Sequence, residues 1–241
     1  MSATVFHVTH WKAGSQWVRA VLEAAAGDRV VPLKHDMSHV HTDPIVEGGV
    51  YTPVYMGRAR FVERVGLREG HRRFVVVRDL RDTLVSWYFS LKRSKRMGEI
   101  NPNVASMQRM LEEMSLRDGL GFLVRERLGA IAQIQSEWLE GDDPYFRYED
   151  LMADEHAGFA RILGCAGIEM DEGRRRAIVE SNSFERRSKG RKPGEEDVSS
   201  HLRKGTGGDW RELFDAALSR EFKDRFGEVL VKTGYERDAG W

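Results

Sequence analysis

Phe74-Val75-Val76-Val77-Arg78-Asp79-Leu80-Arg81-Asp82-Thr83-Leu84-Val85-Ser86 is the stretch whose reading decides the fold. Its unbroken apolar start suits a parallel strand covered on both faces. The run ends in an arginine, and a helix-like stretch follows from about Asp82 to Lys92. Strand, turn and helix in that order aim backbone N–H groups and the positive end of a helix dipole at an anion. Arg78 stands at the strand's carboxyl end, where open α/β sheets bind ligands, and a guanidinium meets phosphate through paired hydrogen bonds. A surface ion pair with Asp79 or Asp82 is the plain alternative.

A second unit of the same kind opens the chain. Val5 to Val8 reads as a strand and Trp17 to roughly Ala26 as a helix closed by Gly27. Between them lies Lys12-Ala13-Gly14-Ser15-Gln16-Trp17. In the nucleotide-hydrolase loop the lysine follows the second glycine and a Ser or Thr comes next; here the lysine precedes the glycine. Two such units, with Lys12 and Arg78, point to a ligand carrying phosphates at two separated positions. The plain alternatives are an exposed turn lysine at Lys12 and core packing at Trp17.

Further out, Arg29 to Leu33 reads as a short second strand, 34 to 53 as loop, Arg58 to Gly66 as helix, and Pro144 to Arg147 as strand. Helical spacing recurs at Val104 to Met114, Phe122 to Leu139, Asp154 to Gly164 and Leu213 to Thr233. Ser181 to Asp209 is polar and Gly-rich, a loop of the length that is usually functional or disordered. Strands alternating with helices predict one α/β domain over 1–241 with a central, mainly parallel sheet flanked by helices. Met107, Met110 and Met114 read as core before substrate lining.

Lys plus Arg equals Asp plus Glu at 38 each, so net charge argues for neither nucleic acid nor a membrane surface. The basic run Glu185 to Lys192 lacks the interleaved aromatics of a nucleic-acid patch and reads as part of a lid over a ligand. The single cysteine, Cys165, fits a reducing compartment. With neither a leader pattern nor a run long enough to span a membrane, the expectation is a cytoplasmic protein.

The residues Lys12 to Trp17 resemble the Lys-Ser-Gly-Thr-Thr-Trp loop of sulfotransferases that use 3′-phosphoadenosine 5′-phosphosulfate (PAPS) and release PAP. Arg78 and Ser86 resemble that family's pair for the 3′-phosphate, at the same separation. Phe146-Arg147-Tyr148-Glu149-Asp150-Leu151 resembles its Tyr-Glu-Asp segment, and Arg203-Lys204-Gly205-Thr206-Gly207-Gly208-Asp209-Trp210 its Arg-Lys-Gly…Gly-Asp-Trp loop. The resemblance implies a P-loop-like 5′-phosphosulfate loop in which Ala13, Gly14, Ser15 and Gln16 present backbone N–H groups and Lys12 acts on the leaving oxygen. It implies that Trp17 and Phe184 flank the adenine, that Ser183 and the Tyr148 hydroxyl contact it, and that Arg203, Lys204 and Gly205 close over the 3′-phosphate. Ala13 and Gln16 depart from the family's Ser and Thr, and Asn182 from the Thr of its Thr-Ser-Phe. Glu149 and Asp150 are expected as helix caps.

The family's cytosolic members carry a catalytic His in a Lys-Thr-His segment, but the counterpart here, Val50-Tyr51-Thr52-Pro53, has none. His35, Asp36, His39 and His41 are the candidates for the base, ranked His35 first, then His41 and Asp36, since an imidazole near its ordinary pKa suits removing a proton from an attacking hydroxyl. The expected activity is sulfonate transfer from PAPS to a hydroxyl or amine of an acceptor the sequence does not name. A homodimer is compatible with it. A non-catalytic PAP-binding module and a P-loop-like kinase stay as alternatives.

Overall fold

The computed structural model describes residues 2–34, 39–93, 102–197, 200 and 202–241. They group into two compact units, Met1–Arg78 with Ile134–Arg191, and Asp79–Gln133 with Lys192–Trp241.

The first unit holds the sheet. Strand β1 (Thr4–Thr9) leads into α1 (Ser15–Ala26), a 3-10 turn follows at Gly27–Arg29, and α2 (His39–Thr42) is short. Then come β2 (Val50–Val54), α3 (Arg58–Arg64) and β3 (His71–Val77). The strand order is β2-β1-β3-β4, where β4 is Tyr145–Arg147, and every pairing is parallel. The interior strands β1 and β3 have the apolar run that two-sided burial requires: Phe74 to Val77 are all buried. On one face Val5, Val50, Phe74 and Val76 pack against Trp17, Val18, Val21 and Leu22 of α1 and against Phe159, Ile162 and Leu163. On the other, Phe6 stacks on Tyr51 and meets Phe61 edge-on, and Phe61 meets Trp138.

The expected strand at Arg29 to Leu33 does not form. It contributes one parallel bridge, Val30 to Val50, with the Val31 N–H donating to the Val50 carbonyl at 3.0 Å. The strand lies instead at Val50–Val54, all but its last residue within the stretch read as loop. Pro53 argues against a strand in sequence, but β2 is at the sheet's edge, where a missing N–H is tolerated.

In the second unit, α4 (Leu80–Arg93), α5 (Pro102–Glu113) and α6 (Leu116–Glu126) precede α7 (Gly129–Leu139), whose last residues, from Ile134, belong to the first unit. Back in the first unit, α8 (Tyr148–Ala153), α9 (Glu155–Ala166), α10 (Glu172–Ser181) and the one-turn α11 (Phe184–Arg187) follow β4. The one-turn α12 (Trp210–Leu213) and α13 (Ala216–Lys232) complete the second unit. Its core joins Leu80, Leu84 and Tyr88 of α4 to Leu111, Leu120, Val124, Phe222 and Phe226. Met107 is buried there as expected, whereas Met110 is 42% exposed. Helix α10 sends only Ile178 and Val179 inward, too few to print a periodicity.

Candidate functional site

The loop after β1 is shaped by its backbone. Lys12 has φ 71° and Gly14 has φ 76°, the left-handed region that a lysine seldom adopts. Gly14 serves as N-cap of α1 with no side-chain hydrogen bond, and no acidic residue stands in the first turn. The first-turn N–H groups of α1 are therefore not met by a capping side chain, which suits an anion. Glycine at 14 is also a steric requirement: a Cβ there would lie 2.7 Å from the Tyr148 ring. Ala13 is fully buried, so the family's serine at this place would need a buried partner.

Beneath the loop lies a neutral histidine. His10 Nδ1–H donates to the Trp11 carbonyl at 2.9 Å, leaving Nε2 to accept from the Arg78 N–H at 3.3 Å and from Gln135 at 2.7 Å. Gln135 also donates to the Arg78 carbonyl at 2.7 Å. Burial first, then the nearby Arg78 charge, hold the imidazole down at about 4, against a raising effect from the Trp11 carbonyl. His10 thus ties the backbone of the loop after β1 to that of the turn after β3 and stays uncharged. Arg78 itself is buried, donates through Nη1 to the Lys12 carbonyl at 3.2 Å, and has its Cζ 4.8 Å from the Tyr148 ring centroid. The structure therefore brings Lys12, Gly14, Arg78 and Tyr148 together.

Trp17 is buried, edge-on to Tyr148 and Phe159, and its Nε1–H is buried without a partner among the described residues. Both readings of Trp17 have support: it is core, and it keeps one donor unspent. Phe184 is buried at the start of α11, with the Arg191 guanidinium 5.6 Å from its ring. Ser183 caps that turn by accepting from the Arg186 N–H. Asn182 donates to the Ile178 carbonyl at 2.9 Å and so closes α10. The capping role expected of Glu149 and Asp150 is corrected: Arg147 is the N-cap of α8 and makes no side-chain cap bond. The two acids sit in the first turn, where they complement the helix dipole, and Asp150 pairs with Arg147 at 2.9 Å.

In the second unit Ser86 lies half-buried on α4. Arg203 and Lys204 share the buried carboxylate of Asp209; the Lys204 contact is 2.8 Å, and Arg203 also pairs with Glu196. Although burial opposes it, the two cations hold the Asp209 carboxyl below its ordinary value. Gly205 has φ 65° and Gly208 φ 95°, the turns that keep this loop folded back.

His35 and Asp36 lie outside the described residues. His41 is half-buried in α2, and its carbonyl accepts from Arg64 Nε at 2.8 Å.

Tyr55 is the site residue that sequence reading missed. It follows β2 directly, its hydroxyl lies 2.8 Å from Ser15 Oγ and bonds the Gln16 side chain, and Trp11 stacks on its ring at 5.0 Å. Burial raises its pKa, so it stays protonated. The only signal was the strand hidden by Pro53. Gln16, which departs from the family's threonine, thus has a partner of its own.

The chain matches the family model described as the sulfotransferase domain over residues 69–234, more than half of its length. The chain belongs to the sulfotransferase family, and it is an enzyme of the PAPS-dependent type. No curated protein shows a significant sequence match. Among solved structures it resembles mouse sulfotransferase SULT7A1 complexed with PAP, at 19% identity and TM-score 0.72, covering 98% of this chain and 87% of that one. It also resembles retinol dehydratase in complex with androsterone and PAP, at 16% identity and TM-score 0.61, covering 94% of this chain and 80% of that one. A complex of retinol dehydratase with retinol and PAP gives TM-score 0.59 at 15% identity, covering 95% and 82%.

Proposed function

We propose that the chain moves the sulfonate of PAPS to a hydroxyl or amine of a small-molecule acceptor, acting as one sulfotransferase domain across residues 1–241. The shape of the Lys12–Trp17 loop carries this reading: left-handed backbone at Lys12 and Gly14 opens α1 toward an anion without a competing carboxylate. The unpartnered Trp17 Nε1–H and the ring of Tyr148 seated on Gly14 fit a nucleotide at the same place.

PAPS supplies an activated sulfonate whose leaving group is a phosphate oxygen. Lys12 neutralises charge growing on that oxygen, which favours the transition state over the ground state. Backbone N–H groups of 13–17 hold the 5′ side, with Ser15 oriented by Tyr55. Arg78 and Ser86 take the 3′-phosphate, and Arg203, Lys204 and Gly205 also contact it; Tyr148, Ser183 and Phe184 are assigned to the adenine. The base is assigned to the 35–41 loop, His35 first, then His41 and Asp36. The segment 185–192 acts as a lid. A cytoplasmic enzyme is the proposed setting, with a homodimer as its proposed assembly. Among the described residues no helix is long and apolar enough to cross a membrane.

Calorimetry with PAP and with its analogue lacking the 3′-phosphate tests the binding assignment. PAP should bind at least about tenfold tighter, since a charged hydrogen bond contributes about 1.5–3 kcal/mol, and Arg78→Ala should remove most of that preference. Equal affinities would show that the arginine roles are wrong. Turnover of labelled PAPS over an acceptor panel separates the enzyme from a binding module, and preference for ATP would favour the kinase. His35→Ala should abolish the acidic limb of the pH–rate profile; loss at His41 or Asp36 instead moves the role within the loop.

A further inference from the structure

Arg81 is 1% exposed, and a guanidinium so deep needs full compensation. Asp79 receives Nε at 3.0 Å and Nη2 at 2.7 Å, and Glu236 receives Nη1 at 2.5 Å. Two indoles flank the guanidinium, with Cζ 3.9 Å from the Trp210 ring centroid and 4.6 Å from the Trp241 ring centroid. Those rings stand 6.3 Å apart at 81°, so they form a corner around the cation. Trp241 is tied down through its carbonyl, which accepts from Lys223 Nζ of α13 at 2.6 Å.

Trp210 directly follows Asp209, the carboxylate shared by Arg203 and Lys204. The same stretch is pinned from α4, where Asp82 accepts from the N–H of Gly208 at 2.5 Å and of Trp210 at 3.3 Å. A continuous set of contacts thus runs from Trp241 through Arg81 and Trp210 to Asp209 and its two cations. Asp209 has no covalent restraint on its position apart from this loop. Where Trp210 docks therefore decides where Arg203 and Lys204 are held.

We propose that Arg81 and Trp241 are positioning residues for the 203–210 loop and set how strongly the enzyme prefers a nucleotide bearing a 3′-phosphate. The inference rests on the assignment of Arg203 and Lys204 to that phosphate. Neither positioning residue needs to touch the nucleotide. Removing the Trp241 ring opens one wall of the corner, lets Arg81 and Trp210 shift, and loosens Asp209.

The test is calorimetry of PAP and of adenosine 5′-monophosphate against the full chain, Trp241→Ala and Trp241→Phe, with melting curves for each. Trp241→Ala should weaken PAP about tenfold and leave the monophosphate unchanged, while Trp241→Phe, which keeps an aromatic wall, should stay near the parent chain. Should Trp241→Ala fail to fold, Glu236→Gln loosens Arg81 without removing a ring and is read in the same way. Unchanged PAP affinity, or an equal loss for both nucleotides, would overturn the inference. A parent chain that shows no preference for PAP would instead sink the Arg203 and Lys204 assignment, and that outcome is read before any variant is made.

Discussion

The loop Lys12–Trp17 and the loop 203–210 both present cations, but they are held by different physics. The first is a backbone construction: left-handed turns at Lys12 and Gly14, the start of α1, and a buried neutral His10 clasping the Trp11 and Arg78 main chains. The second is a side-chain construction, in which Arg203 and Lys204 lean on Asp209 while Asp82 grips the N–H groups of Gly208 and Trp210. Backbone geometry resists salt and fails when a side chain cannot fit. Ion pairs tolerate substitution better and fail when a carboxylate is neutralised.

Acid should separate the two most sharply. His7 and His10 are buried neutral, with pKa values lowered to about 3 and about 4 from 6.5. Below pH 6.5 the unfolded chain takes up protons that the folded chain refuses, so their contribution is complete above 6.5 and falls away toward 4 for His10 and 3 for His7. Each costs about 1.4 kcal/mol per pH unit in its window, so the two together remove about 4 kcal/mol by pH 5. Asp209 is also shifted downward, but from an ordinary 3.8, so its contribution is complete above that value and is lost only as the pH falls beneath it. Hydrogen exchange, corrected for intrinsic rate, should show 10–17 opening between pH 6.5 and 4 while 203–210 stays protected. Simultaneous opening would erase the distinction.

Lys12→Ala comes next in size. Turnover should drop on the order of a hundredfold, by analogy with removing one oxyanion donor, while PAP affinity changes little. If turnover stays within a few-fold, Lys12 is a turn residue and the first loop only binds. Gly14→Ala meets both a positive φ and the Tyr148 ring 2.7 Å away, so about 1–3 kcal/mol of stability should be lost, read as a lower melting temperature. A neutral result would mean that Tyr148 yields and that the loop is less rigid than its geometry implies. The smallest effect is expected at Asp82→Asn, where the amide oxygen keeps one acceptor but loses the charge. PAP affinity should weaken about fivefold, near 1 kcal/mol, with turnover at saturation unchanged. A large loss of turnover there would place Asp82 in the chemistry instead of in the support.

Much of the fold was legible because parallel strands buried on both faces write themselves as apolar runs. Phe74–Val77 and the β1 segment are of that kind, and each is followed at once by a helix. Lys12 and Arg78 were legible for the same reason, as cations placed where a strand gives way to a helix. Strand β2 was not, since Pro53 and the flanking polar residues hide an edge strand whose partner is 45 residues away in the chain at His7 and Thr52. With β2 hidden, Tyr55 was hidden too. Asp209 and Asp82 were visible only as members of a motif; that one shields two cations and the other grips a loop depends on contacts between distant segments.

Sequence by itself determined β1 and β3 with the helices that follow them, the two cationic turns and the family resemblance, because each depends on neighbours within a few positions. Tertiary structure alone decided which side chains those turns would lean on. The pairings of His10 with Gln135, Ser15 with Tyr55 and Arg81 with Glu236 span 125, 40 and 155 positions. No local propensity encodes such pairs. They exist because burial leaves each polar group only the partner that packing brings within reach.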